Sequence, residues 1–412
     1  MSGFIKILGP GILFAATAIG VSHLVQSTTA GAQFGLSMLI FVVLSNVLKY
    51  PFFDYGSRYA AVTGKTLIHG YSELHRVWIV VFSVFTIISA LMVTATVGAV
   101  TIGFLEKLFH FNQILNFKYA THLILFSSCF LILYRGGFNS LEKVIKMLGI
   151  LLLVGTLIAF ISAIFKGPIV SDLFPALAED GWLFLLPLMG WMPTAVDLST
   201  WNSIWTVEKT EQMGLKIPVK DTLKEFAFGY WISAILAVFF VFMGAFLVYG
   251  SDKVIPNNAV EFSQFVIDLY TTSIGGWAFY FISIAAFSIM FSTFIAVLDG
   301  YTRSIHISFN LLRKNTEGRK SQNAIILTII GTLSLLIIFV FEHLGSFRIL
   351  VNSATILSFL FAPVIAILNF RLVQKDKIGN YAPGIKMRIL SYVGIIFLIG
   401  FSVWYLITVI SR

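Results

Sequence analysis

Charge is what this chain lacks most. Only 11% of its 412 residues are Asp, Glu, Lys or Arg, while 58% are hydrophobic. A soluble domain carries about 25% charged residues, so the deficit leaves too little charge to cover a water-facing surface. Cysteine is nearly absent too. The single Cys129 lies in a mostly apolar run, which excludes an intramolecular disulfide and a thiol-based metal site and reads as a small buried hydrophobe. No nucleotide-binding loop, nucleophile–base pair or familiar metal-ligand spacing stands out, so neither an enzyme nor a cofactor is expected. No persuasive cleavage site follows Lys6, and the N-terminal apolar segment reads as a first span and not a signal peptide.

What the chain does have is apolar runs of spanning length, recurring to its last residues. A bilayer core of about 30 Å takes about 20 helical residues to cross. Transmembrane β-strands give only alternating segments of about 10 residues. Unbroken runs such as Leu148 to Phe165 exclude that reading and leave helices, which satisfy their own backbone in lipid. The expected fold is therefore all-α and polytopic, with eleven spans near 9–30, 37–57, 77–104, 117–134, 144–165, 182–205, 225–250, 275–301, 322–341, 349–370 and 388–410. Residues 257–272 read as an amphipathic helix on the surface, outside the membrane.

Basic residues test this count, because Lys and Arg favour cytoplasmic loops. With the N-terminus inside, the cytoplasmic connections hold Arg58, Lys65 and Arg76; Arg135, Lys143 and Lys146; Lys209, Lys216, Lys220 and Lys224; Arg303, Arg313, Lys314, Arg319 and Lys320; and Arg371, Lys375, Lys377, Lys386 and Arg388. The opposite connections and their margins hold Lys107, Lys118, Lys166, Lys253 and Arg348. A miscounted span would scramble this alternation. The C-terminus is then outside, and the net charge of +9 belongs to a membrane surface and not to a nucleic-acid site. The bilayer and a transported ion or small solute are the expected partners. A bacterial inner membrane is the expected location.

No low-complexity linker divides the chain, so a single membrane domain is expected. Spans 1 and 6 both carry helix breakers amid polar residues. Interrupted helices at matching places in two halves point to a transporter site. The division expected is a first repeat over 9–165, an inverted second over 182–370, and an additional helix over 388–410.

In span 1, Gly20 and Ser22 loosen the helix and offer carbonyls to a cation. His23 and Gln26 are three apart and share a helical face. The alternative is a tightly packed helix whose small residues let neighbours approach. An ionisable group such as His23 in mid-membrane is rare and usually faces a cavity. In span 6, Pro193 removes a donor and clashes with the preceding turn, and Gly190 adds freedom three residues earlier. Together they argue for a break near the bilayer centre, with Met189 among the candidate substrate contacts. Asp197 reads either as a cation or proton site or as the cap of the second half-helix. Thr194 lines the same break, and the Met192 thioether suits a soft metal. In span 8, Ser292 and Thr293 either complete a sodium site with span 1 carbonyls or bond back to their own helix. Asp299 and Arg303 are spaced for an i,i+4 pair.

At these helices the chain resembles the NRAMP family of proton-coupled divalent-metal transporters. The likeness begins at Gly9-Pro10-Gly11 and closes with Ala30-Gly31-Ala32-Gln33-Phe34-Gly35. Lys49-Tyr50-Pro51 and Arg58-Tyr59-Ala60-Ala61-Val62-Thr63-Gly64-Lys65 look like bacterial members, and Met192-Pro193 sits where the family has Met-Pro-His. The resemblance implies a leucine-transporter-type fold of five plus five inverted spans with alternating access.

The departures fall on the site itself. The family's first-span Asp-Pro-Gly-Asn falls on Gly20-Val21-Ser22-His23, so the metal-binding Asp is Gly20. The histidine after the proline is Thr194, and a later one falls on Ser199. Met92 to Gly98 in span 3 holds no carboxylate, and the family's span 10 glutamine falls on Leu360. A divalent cation leaving water needs charge and oxygen ligands. The residues left to supply them are His23, Met192 and Asp197, with His23 and Asp197 as proton carriers and Ser292 and Thr293 as sodium ligands. Three functions are carried forward. One is a divalent-metal carrier with an altered site. A second is a carrier of another, organic solute on the same fold. The third is a membrane receptor or sensor without transport.

Overall fold

The computed structural model describes residues 9–135, 138–214, 217–313 and 320–411. Among these, every regular element is helical. Six helices are long and apolar enough to cross a bilayer: Arg76–Phe109 (span 3), Val219–Leu247 (span 7), Gly276–Arg313 (span 8), Gln322–His343 (span 9), Phe347–Leu372 (span 10) and Ile385–Ile410 (span 11). The bent pair Pro10–Ala18 and Ser22–Phe34 makes a seventh, span 1. Leu39–Thr63, Ala120–Arg135, Phe138–Lys166 and the pair Glu179–Gly190 and Leu198–Met213 stand in the places expected of spans 2, 4, 5 and 6. Lys6 lies outside the described residues, and so, of the basic residues counted above, do Lys216, Lys314 and Arg319 and the side chains of Lys143, Lys146 and Lys320.

Two boundaries differ from expectation for one reason. Span 8 runs on to Arg313, and the second half of span 6 runs on to Met213. Charged residues end the apolar window but not the helix, which continues into water while its own backbone bonds hold it. The amphipathic segment is a helix, Ala259–Ile274, started by the Asn258 side chain accepting from Val260 N at 2.8 Å. It buries Phe262, Val266 and Tyr270 against spans 3 and 5 and leaves Glu261 and Asp268 exposed.

Spans 1, 2, 6 and 7 pack on one another, and spans 3, 4, 8 and 9 form a second set. Spans 1 and 7 approach closely enough that only glycine fits. A Cβ on Gly31 would lie 2.0 Å from the Val241 carbonyl, and one on Gly229 would lie 2.0 Å from that of Gly11. Close backbone approach through small residues is how membrane helices gain packing where lipid supplies no hydrophobic drive. Span 11 touches only the edge of the bundle. The central window of span 11 is 17% buried, against 78% for span 8.

Candidate transport site at the two broken spans

Span 1 breaks at Ile19–Val21 and bends by 42°. Beyond the break the chain winds as a wider π turn over Ser22–Ser27 before resuming as α-helix. A π turn is a frequent mark of a functional site. It also changes the facing of side chains. His23 and Gln26 do not point together, because the wider turn opens the angle between positions three apart. Gln26 turns to span 10, donating to Asn352 Oδ1 at 3.3 Å and Thr355 Oγ1 at 3.5 Å. His23 turns to span 7.

His23 is fully buried, and both of its nitrogens are engaged. Nε2 lies 2.8 Å from the Ser233 carbonyl and Nδ1 lies 2.7 Å from Ser22 Oγ. The carbonyl can only accept, so Nε2 carries the hydrogen. Ser22 Oγ also lies 2.7 Å from the Ala18 carbonyl and 3.1 Å from the Pro193 carbonyl. One hydroxyl thus bridges the imidazole, the span 1 break and the span 6 break.

Span 6 stops at Gly190 and resumes at Leu198. The intervening residues include the cis Met192–Pro193 bond. Helix C-termini leave carbonyls without helical partners, and here span 2 supplies them. Ser45 Oγ donates to Met192 O at 3.1 Å, and Lys49 Nζ donates to Met189 O and, at 3.0 Å, to Gly190 O. Asp197 stands at the start of the second half-helix, but its carboxylate does not cap it. Instead Tyr301 of span 8 donates to Asp197 Oδ2 at 3.3 Å. Ser27 Oγ lies 3.7 Å from Met192 Sδ.

A small cavity of about 20 Å³ lies between spans 1, 3, 6 and 8. Its polar lining is Thr17, Ser22, Thr194 and Thr293, and its apolar lining includes Val93, Val97 and Trp191. That volume admits roughly one water or ion. Thr293 donates to the Ala16 carbonyl at 3.1 Å, which joins span 8 to span 1. Gly20 faces the same hydroxyl. A Cβ there would lie 3.2 Å from Thr293 Oγ1 and 3.1 Å from its methyl. Ser292 is buried on the same span. Met189, Met192, His23 and Asp197 are buried but do not line this cavity. Among the described residues, no group of three or more His, Cys, Asp or Glu is placed to hold a metal ion.

Toward the C-terminal end of span 8, the Asp299–Arg303 pair is present at 2.8 Å and gains a third member, since Arg303 Nη1 lies 2.6 Å from Glu208 of span 6. Glu225 of span 7 accepts from Gly9 N and Gly11 N, both at 2.9 Å. Sequence reading noted Lys49 only inside a motif and passed over its chemistry. The signal was there: an ionisable residue in mid-span, four after Ser45 and so on the same face. Ser233 carried little, because its backbone carbonyl makes the shorter contact, with its hydroxyl 3.3 Å from Nε2.

Two broken helices crossing at a small polar cavity, inside two packed sets of spans, define a membrane carrier. The family described as "Natural resistance-associated macrophage protein-like" matches residues 11–408, and the chain belongs to that family. It is an integral membrane transporter, not an enzyme. An uncharacterised protein of Pasteurella multocida is 32% identical over 406 residues, 97% of this chain and 91% of that protein. The divalent metal cation transporter MntH of Pediococcus pentosaceus is 25% identical over 295 residues, 64% of this chain and 63% of its own. A manganese transporter variant from Eremococcus coleocola superposes with a TM-score of 0.73 at 14% identity, covering 100% of this chain and 87% of that one. The leucine-transporter-type arrangement, with spans 1 and 6 broken, is thus the fold of the chain.

Proposed function

We propose that the chain is a secondary-active carrier that moves a metal ion by alternating access, with the cargo held where spans 1 and 6 break. The observation that carries this reading is the cavity itself. It is small enough for one ion and ringed by the hydroxyls of Thr17, Ser22, Thr194 and Thr293. Neutral oxygens suit a hard cation but bind it weakly without a carboxylate. The cargo site therefore has low affinity, with Asp197 and His23 as the groups available for charge and for proton coupling. Family membership supports the metal, as do the names of the Pediococcus and Eremococcus transporters. The spans 9–165 and 182–370 are the two inverted repeats, with 388–410 added. The basic residues put the N-terminus in the cytoplasm and the C-terminus outside, in a bacterial inner membrane.

The test is uptake of Mn²⁺, Fe²⁺, Co²⁺ and Cd²⁺ by protein in liposomes, with calorimetry for binding. Slow, low-affinity uptake of at least one is expected. Absence of both flux and binding for all four, under every imposed gradient, overturns the metal.

One observation favours a second reading. No carboxylate lines the cavity, so a neutral solute would meet no buried charge there once the two breaks part widely enough to admit it, with sodium at Thr293 and Ser292 as the driving ion. Sodium-dependent thermal stabilisation that disappears in Thr293→Ala and Ser292→Ala would support it. Stabilisation that persists in both would remove that sodium site.

A further inference from the structure

The strongest unabsorbed feature of the molecule is Lys49. Its side chain is completely buried in the middle of span 2. Among the described residues it forms no ion pair with a carboxylate. Instead Nζ donates to the carbonyls of Met189 and Gly190, the last residues of the first half of span 6. The Phe359 ring of span 10 lies 5.6 Å away on another side. Ser45, one turn earlier on the same face, closes the cluster by donating to Met192 O at 3.1 Å and reaching Met189 O at 3.4 Å.

An unpaired charge inside a membrane protein is costly and survives only with compensating partners. Here the partners in contact are carbonyls and a ring face, with the Asp197 carboxylate near enough to act on the charge without pairing with it. The C-terminal end of a helix carries partial negative charge on its free carbonyls. An aromatic face adds attraction for a cation. Carbonyls of an interrupted membrane helix are what alkali cations bind in transporters. The carbonyl oxygens facing Nζ are thus one side of an oxygen cage suited to a small monovalent cation, and the ammonium sits in it.

We propose that the span 6 break is a monovalent-cation site already filled by Lys49, which acts as a tethered cation so that no diffusible alkali ion binds at the break. The claim concerns this cage alone and does not depend on which cargo the protein carries.

The experiment measures thermal unfolding of the full-length protein, followed by tryptophan fluorescence. Four chloride salts are compared at equal ionic strength: N-methyl-D-glucamine, sodium, potassium and methylammonium. Wild type is expected to gain no stability from these cations beyond what Thr293→Ala removes. Lys49→Ala empties the cage. It is expected to melt lower in N-methyl-D-glucamine and to regain roughly 3 °C or more, saturably, in at least one small cation. Lys49→Met fills the space with an apolar chain and is expected to be lowered without regaining anything. A cation response in Lys49→Ala identical to that of wild type overturns the proposal. If Lys49→Ala does not fold, Lys49→Gln takes its place, with the same regain expected and its absence again overturning. The wild type can refute the idea alone: saturable sodium or potassium stabilisation that survives Thr293→Ala shows an alkali ion bound where Lys49 is said to exclude it. Because the readout is stability, failure here is distinct from failure to transport a metal.

Discussion

Ser22 Oγ of span 1 lies 3.1 Å from the carbonyl of Pro193 in span 6, so the two helix breaks touch through a single hydroxyl. The same oxygen meets His23 Nδ1 at 2.7 Å. With Nε2 carrying a hydrogen to Ser233, Nδ1 has a lone pair and the Ser22 hydrogen is its natural donor. On protonation of the ring both nitrogens would donate, and the Ser22 hydrogen would turn to Ala18 or Pro193. A change in the charge of His23 would then be felt at the Pro193 carbonyl through this one hydroxyl.

Replacing that hydroxyl tests the link. Ser22→Ala is expected to lower stability by about 1 kcal/mol, the net value of a buried hydrogen bond. It is also expected to flatten the pH dependence of transport if His23 carries the proton. Chemical unfolding and pH–rate profiles measure the two separately. An unchanged pH profile in an active variant would sever His23 from coupling.

Met192 and His23 offer a contrast. Met192 is buried but does not line the cavity. Met192→Leu keeps the volume, and such swaps cost less than about 1.5 kcal/mol. Its KM for metal is expected to stay within about threefold of wild type. A rise of a hundredfold would make the thioether a ligand after all. His23→Ala, by contrast, removes a fully buried ring bonded through both nitrogens and is expected to cost about 1–3 kcal/mol and to impair transport.

The missing carboxylate can be put back. Gly20→Asp places an acid where the resembling family has one. Its Cβ would sit 3.1 Å from the Thr293 methyl, so Thr293→Ser should accompany it to make room. The double variant is expected to bind Mn²⁺ at least roughly tenfold more tightly, a difference of about 1.4 kcal/mol. Calorimetry reads this directly. No gain in affinity would place the cargo elsewhere than at Gly20.

The Arg303–Glu208 contact joins span 8 to span 6 near the expected cytoplasmic face, at 2.6 Å with both side chains about one-third exposed. Such a pair contributes only about 0.2–1 kcal/mol. Glu208→Gln is therefore expected to raise the population open at that side by up to about fivefold, with little change in melting temperature. The rate of thiol labelling of a cysteine introduced at Thr17 measures it. Cys129 is buried, so background labelling is low. Unchanged or slower labelling would remove the pair from gating.

Much of the architecture was readable in residue patterns. Apolar run length and the alternation of basic residues gave the helices in order, because lipid leaves a chain so few ways to satisfy its backbone. The breaks in spans 1 and 6 were readable from Gly20 and Pro193. The facing of side chains beyond the breaks was not. His23 and Gln26 share a face only on an ordinary α-helix, and the π turn that separates them has no residue signature of its own. Lys49 was misjudged for a different reason. Its partners are backbone carbonyls of a helix 140 positions away, and carbonyls look the same at every position of a sequence.

The glycine contacts between spans 1 and 7 have a mechanical consequence. Gly11 meets Gly229 before the break in span 1, and Gly31 meets the Val241 carbonyl after it. Span 7 therefore runs alongside the fracture like a splint, fixed on both sides of it. The two halves of span 1 cannot hinge freely while those contacts hold. Either span 7 flexes between residues 229 and 241, or one glycine seam opens at each turnover. An alanine at Gly31 or Gly229 wedges its seam apart from the outset, so the two variants should bias the carrier toward opposite sides of the membrane.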